Sequence, residues 1–259
     1  MSLVTTTGAG PVLTIELNRP EARNALSLEL CDAIVEALDE ANHHNAARVV
    51  VVAGAGPVFC SGADFAAVSG PEGVDFLPAF ERMLEAVWGH RLPTVARIQG
   101  AALGGGLQLA TVCDFRVAAS DARLGIPSSR LGVVVNLENV ERLVELVGIA
   151  RAKEVLMTGT TFSGADALQP GLVSEVCAPH ELEGTTERMA LAIAALAPLS
   201  VQGAKRAIRA IAGERSVRRL NPEAALEVDA LVAEAYASDD LGEGIRAMSE
   251  RRPPDFTGS

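Results

Sequence analysis

Residues 100–114 read GAALGGGLQLATVCD. Three consecutive glycines, Gly104 to Gly106, are followed two positions on by Gln108. The stretch lies between two apolar, β-rich runs, PTVARIQG (93–100) and CDFRVAA (113–119). That setting reads as strand, bare turn, short helix and strand. A similar design occurs upstream, where FCSGADF (59–65) places a turn of small residues after a strand. Small side chains let main-chain N–H groups approach a ligand closely. A strand ending in such a turn aims free amides at negative charge. Two such turns brought together make a two-donor oxyanion hole. Tight helix–sheet packing through glycine explains the same spacing equally well, so spacing alone leaves both readings open.

Outward from these turns, strand and helix alternate. VLTIELNRP (12–20) reads as a strand, and SLELCDAIVEALDEANHH, from Ser27, as a helix with Ser27 at its N-cap. RVVVVAG (48–54) is a continuous β-branched run, the pattern of a strand covered on both faces. GVDFLPAFERMLEAVWGH (73–90) is helical in period. LENVERLVELVG (137–148) and ARAKEVLMTG (150–159) read as successive helices, and GLVSEVCAP (171–179) as a short strand. From about residue 180 the pattern is almost entirely helical. This argues an α/β layered body with a helical C-terminal piece, divided into residues 1–195 and 196–259. PLSVQGAKRAIRAIAG (198–213) and PEAALEVDALVAEAYASDDLGEGIRAM (222–248) carry apolar stripes at helical spacing.

Composition narrows the classes. The chain has 259 residues, 49% hydrophobic, 21% charged and only 3% aromatic, so its core is built from Ala, Val, Leu and Ile. The formal net charge is −11 and no Lys/Arg block stands out, which argues against nucleic-acid binding. Cys31, Cys60, Cys113 and Cys177 are scattered without a CxxC and read as reduced core residues. No signal peptide and no apolar run of membrane length is expected, which places the protein in the cytoplasm. Neither GAGPVF (54–59) nor GGGLQL completes a dinucleotide fingerprint, because Phe59 and Leu109 occupy the third glycine position. His43, His44, His90 and His180 lack metal-ligand spacing, so no metal and no cofactor is expected.

Together, LNRPEARNALS, FCSGADF, GAALGGGLQLATVCDFRVA and GLVSEV resemble the crotonase (enoyl-CoA hydratase/isomerase) superfamily. The resemblance runs from about residue 10 to the final RRPPDFTG. It implies a spiral of ββα turns with a helical C-terminal trimerisation region, as a homotrimer or a hexamer. It implies an acyl-CoA or enoyl-CoA thioester as ligand, handled as in fatty acid metabolism. The implied oxyanion hole is formed by the backbone N–H groups of Ala63 and Gly105. Ser61, Asp64, Phe65, Ala66, Gly104 and the Arg23–Ala25 turn surround the implied ligand, with Asp64 read as structural. Many relatives carry Lys at the position of Ala66, and Arg23 is a candidate substitute for that charge.

The resemblance also exposes what is missing. Hydratases of this family use two glutamates, in G-G-G-x-E-L-A and P-E-x-x-x-G. Those positions are Gln108 and, within PSSRLG, Ser128. A third position, where dehalogenases and dienoyl-CoA isomerases carry Asp, falls on Asn136. A glutamine amide has no useful basicity, and an unactivated serine hydroxyl stays protonated. Glu138 is ionisable and close by in sequence, but a first-turn acid also has a structural reason to exist. Three functions follow: an enoyl-CoA hydratase/isomerase-like enzyme with weak or absent hydratase activity, a non-catalytic acyl-CoA binding or shuttle protein, and, least favoured, an acyl-CoA hydrolase using Ser128.

Overall fold

The computed structural model describes residues 2–8, 10–64, 73–214 and 216–258. It is a mixed α/β fold with a helical C-terminal region. The chain forms two compact units, Met1–Leu124 with Phe162–Ala207 and Gly125–Thr161 with Ile208–Ser259. The first begins β1 (Val4–Thr7), β2 (Val12–Leu17), α1 (Leu28–His43), β3 (Val49–Gly54) and α2 (Gly73–Gly89). It continues β4 (Thr94–Ile98), β5 (Ala101–Leu103), α3 (Gly105–Thr111), β6 (Phe115–Ala119) and β7 (Arg123–Gly125). After α4 (Leu137–Met157) come β8 (Thr161–Ser163), α5 (Gly164–Leu168), β9 (Glu175–Cys177), α6 (Leu182–Ala194) and α7 (Pro198–Glu214). The C-terminal helices are α8 (Val217–Leu220), α9 (Pro222–Ala237) and α10 (Asp239–Glu250).

In the first unit one sheet has the order β1-β2-β3-β4-β6-β9, and a second has the order β5-β7-β8. β1 pairs antiparallel with β2, and the remaining neighbours of the large sheet are parallel. Every residue of β3 is buried, as its unbroken valine run requires of a strand covered on both faces. β2 buries only Leu13, Ile15 and Leu17. It ends at Leu17, before the tight turn that Pro20 opens over Pro20–Ala22. α1 buries Leu30, Cys31, Ile34, Ala37, Leu38 and Ala41 along one face. The Ser27 hydroxyl caps it by accepting from the Leu30 amide at 3.3 Å.

Buried polar groups fasten the far end of this unit. Asp114 Oδ2 accepts from the Thr94 amide (2.7 Å), the Thr94 hydroxyl (3.0 Å) and Lys205 Nζ (2.7 Å). Lys205 also donates to the Leu92 carbonyl, so it ties α7 to the start of β4. His90 is buried beside this network, with Nε2 3.1 Å from the Leu38 carbonyl and Nδ1 3.3 Å from the Leu92 amide. All four cysteines are free thiols. Burial pushes those of Cys31, Cys60 and Cys113 up to about 12, so they are inert core groups.

In the second unit α4 breaks at Gly148, whose φ of 74° and ψ of 163° lie outside the helical region. The two successive helices expected from sequence are its two halves. Glu141 accepts hydrogen bonds from the Ser216 hydroxyl and the Val217 amide. The tail folds back on α10, where Asp240 accepts from the Thr257 and Gly258 amides and Glu243 holds Arg252. Among the described residues no helix is long and apolar enough to cross a membrane.

Candidate active site

The two small-residue turns lie against each other in the first unit. The chain after β3 runs beside β5: Phe59 N donates to Gln99 O, Cys60 N to Ala101 O, and Leu103 N to Cys60 O. This short parallel pairing carries the segment to Gly62, whose φ of +107° a side chain rarely adopts. A β-carbon on Gly62 would sit 2.8 Å from Leu103 O and 3.5 Å from Gly105 N. Gly104, at φ 53° and ψ −121°, turns the chain into α3. A β-carbon on Gly106 would sit 2.4 Å from Cys60 O and 2.8 Å from Cys60 Cβ. The glycines therefore pack the two turns at backbone distance.

The Ala63 segment also pairs with the chain before α1. Leu26 N donates to Gly62 O and Asp64 N donates to Leu26 O, both at 2.8 Å. In a parallel bridge of this kind the intervening residue turns its own N–H the other way. Among the described residues neither the Ala63 amide nor the Gly105 amide donates to a backbone acceptor. The α-carbon of Gly105 is walled by Phe80 and Leu26, which a β-carbon would meet at 3.2–3.3 Å. Phe80 stacks on Phe76 with centroids 5.7 Å apart, and both rings are buried. Gly105 therefore lies against apolar side chains.

Sequence reasoning marked the Arg23–Ala25 turn but missed Arg19 and the bonds of Asn24 that hold this corner. Arg23 and Asn24 both have left-handed backbone, at φ 53° and 54°. Asn24 is fully buried; its Oδ1 accepts from Arg19 N, and its Nδ2 donates to the Ala55 and Val58 carbonyls, all at 2.9 Å. Arg19 donates to Ala25 O at 2.7 Å and pairs with Asp64 at 3.0 Å. The signal was legible in part, because Asn tolerates left-handed backbone and bonds locally in turns. Ser61 donates its amide to Arg23 O. Arg23 itself is exposed, and Ala25 is half-buried. Phe65 and Ala66 lie outside the described residues.

The three residues at acid positions, and Glu138 near them in sequence, are distributed as follows. Gln108 sits on α3, three residues from Gly105, half-buried. Its side-chain amide makes no hydrogen bond to a described group. Ser128, Asn136 and Glu138 belong to the second unit. Ser128 opens a short turn over Ser128–Arg130 and is half-buried. Asn136 is the N-cap of α4, its Oδ1 accepting from Asn139 N at 3.1 Å. Asp caps a helix as well as Asn does, so the cap does not require an amide here. The Glu138 carboxylate is engaged by Arg218, which also grips Asp229 through two bonds of 2.8 Å. Those carboxylates hold the Arg218 guanidinium well above its ordinary range.

The enoyl-CoA hydratase/isomerase family profile matches residues 7–259. The chain belongs to this family. It is 36% identical over 257 residues to a probable enoyl-CoA hydratase, echA6, of Mycobacterium leprae (strain TN), covering 98% of each chain. It is 35% identical to a probable enoyl-CoA hydratase of Bacillus subtilis (strain 168), covering 95% of each. Among solved structures, a methylmalonyl-CoA decarboxylase complexed with 2S-carboxypropyl CoA superposes with a TM-score of 0.90 at 25% identity. That match covers 100% of this chain and 99% of the other. An enoyl-CoA hydratase/isomerase from Pseudoalteromonas atlantica T6c gives a TM-score of 0.86 at 30% identity, over 98% and 100% of the two chains. The crotonase-type architecture of this family member therefore places the paired turns in a known structural frame.

Proposed function

We propose that this family member binds the thioester of an acyl-CoA or enoyl-CoA, with the thioester oxygen between the Ala63 and Gly105 amides. The observation that carries the reading is the contact of the two glycine turns, with both amides lacking a backbone acceptor among the described residues. Preorganised backbone amides favour an oxygen that gains enolate charge. The CoA portion then lies along Arg23, Ala25, Ser61, Asp64, Phe65, Ala66 and Gly104. The CoA-analogue complex among the structural neighbours supports a thioester of this class. The protein works in the cytoplasm and needs no metal or redox cofactor.

Hydratase activity is weak or absent on this reading. Gln108, Ser128 and Asn136 occupy the family's acid positions, and none of them is a base near pH 7. The same three residues favour a second reading, a carrier that holds acyl-CoA without turning it over. A hydrolase built on Ser128 is the weakest of the three. The protein assembles as a trimer or a pair of trimers: Leu199, Ile208, Ile211 and Leu226 on the C-terminal helices are exposed apolar side chains that a subunit neighbour would cover. Calorimetry with butyryl-CoA and a crotonyl-CoA hydration assay separate the readings. Turnover supports the enzyme; tight binding without turnover supports the carrier; no binding refutes both.

A further inference from the structure

Arg116, on β6, is a buried cation, only 5% exposed. Its guanidinium donates to three main-chain carbonyls: Nη1 to Cys113 O at 2.6 Å and Ala110 O at 3.4 Å, and Nε to Leu172 O at 3.0 Å. Among the described residues no carboxylate pairs with it. Asp114, two positions away, is taken by Thr94 and Lys205. Burial holds the Arg116 guanidinium below the ordinary arginine range. A buried charge without an ion pair is costly, and an apolar side chain of similar volume often serves a core as well or better. The cost points to something the fork does that an apolar group does not.

Ala110 belongs to the last turn of α3, Cys113 to the turn that follows it, and Leu172 to the chain leading into β9. The fork therefore ties the C-terminal end of α3 to the segment before β9. The other end of α3 begins with Gly105, whose amide is proposed above as a donor to the thioester oxygen. There Gly106 lies on Cys60 at backbone distance. The helix has seven residues, about 10 Å of rise, and all but Gln108 are buried. It is a short rod held at both ends.

Resting on the thioester reading above, we infer that Arg116 is a positioning residue for it: its fork fixes the axis of α3 and thereby the direction of the Gly105 amide. With the fork gone, the helix pivots on the contact of Gly106 with Cys60, and the Gly105 N–H turns with it. A hydrogen bond weakens as its N–H direction leaves the acceptor. The planar guanidinium offers diverging donors in a rigid geometry, which three separate carbonyls require. A lysine keeps the charge on a flexible stem and does not reproduce that geometry. A residue that served stability alone would lower Tm and leave the bound carbonyl as it is.

The test reads the infrared carbonyl band of butyryl-CoA labelled with ¹³C at the thioester carbon, bound to the full chain as wild type, Arg116→Lys, Arg116→Met and Ser174→Ala. Ser174 Oγ accepts from the Arg116 main-chain amide at 3.1 Å, so Ser174→Ala disturbs the same strand and spares the guanidinium. Each spectrum is taken below that protein's Tm. The expected band lies below its aqueous frequency in wild type and Ser174→Ala, and moves back toward it in both Arg116 variants. Their affinity for butyryl-CoA falls about tenfold, the worth of one well-aligned hydrogen bond. Should Arg116→Met fail to fold, Arg116→Lys carries the test. A wild-type band in either folded Arg116 variant overturns the inference and leaves the thioester site standing. A shift in Ser174→Ala as large as in the Arg116 variants also overturns it, since any disturbance of β6 would then suffice. An aqueous band in wild type, or no binding of butyryl-CoA, overturns the thioester reading and the inference with it.

Discussion

Gly106→Ala is the perturbation that most sharply probes how the two turns are held. Its new methyl group would lie 2.4 Å from Cys60 O and 2.8 Å from Cys60 Cβ, against atoms that cannot rotate away. Restoring ordinary contact, which begins at 3.4 Å, means separating the two turns by about 1 Å. Overpacking of this kind costs about 1–3 kcal/mol. For a chain of this length that is a fall in Tm of roughly 3–10 °C. A misplacement of about 1 Å also weakens a preorganised site by up to about 10²-fold. Gly105→Ala is the comparison, one residue away. Its methyl meets only side chains, Phe80 and Leu26, at 3.2–3.3 Å, and its φ is not in the left-handed region. It therefore changes Tm much less. Thermal unfolding and butyryl-CoA calorimetry on both variants decide the matter. Equal losses in the two, or a native Gly106→Ala protein, would refute the argument that backbone contact between the turns sets the site.

Other outcomes follow from the same geometry. Asn24→Ala leaves the Ala55 and Val58 carbonyls and the Arg19 amide without their partner. It lowers stability by roughly 2–4 kcal/mol, read as a denaturant midpoint shift at constant m-value. Burial holds the His90 imidazole below its ordinary range. The unfolded chain therefore binds this proton first, so the stability contribution is complete above about pH 6.5 and declines as pH falls below it. Unfolding midpoints at pH 7.5 and 5.5 drop less in His90→Gln than in wild type. Wild-type crotonyl-CoA hydration is slow, because Gln108 and Ser128 stand at the family's glutamate positions and neither is a base near pH 7. Robust wild-type hydration that survives Gln108→Ala and Ser128→Ala refutes that assignment.

Much of the fold was legible because its long elements carry unambiguous periods. The valine run of β3, the apolar face of α1 and the break at Gly148 all follow from side-chain pattern and glycine placement. The short strands were not legible. Ala101–Leu103, Arg123–Gly125 and Thr161–Ser163 are three residues each, too short to show an alternation, and exist because a neighbouring strand pairs with them. The paired glycine turns were visible as motifs, but Cys60 against Gly106 is a long-range contact that no local pattern encodes. Asn24 was hidden for a similar reason, since its value lies in three partners reached only after folding. Glu138 was open between two roles in sequence, and its bond to Arg218, 80 positions away, is another contact that no local pattern encodes.

The central claim is that a thioester oxygen sits between the Ala63 and Gly105 amides, and the vibration of that carbonyl tests it most directly. Butyryl-CoA carrying ¹³C at the thioester carbon gives an isotope-edited infrared band free of protein background. Two aligned amide donors polarise the carbonyl, so the account predicts a bound band at lower frequency than in water, narrower than in water, and returned toward the aqueous position in Gly106→Ala. A bound ligand whose carbonyl band stays at its aqueous position in wild-type protein would contradict the account.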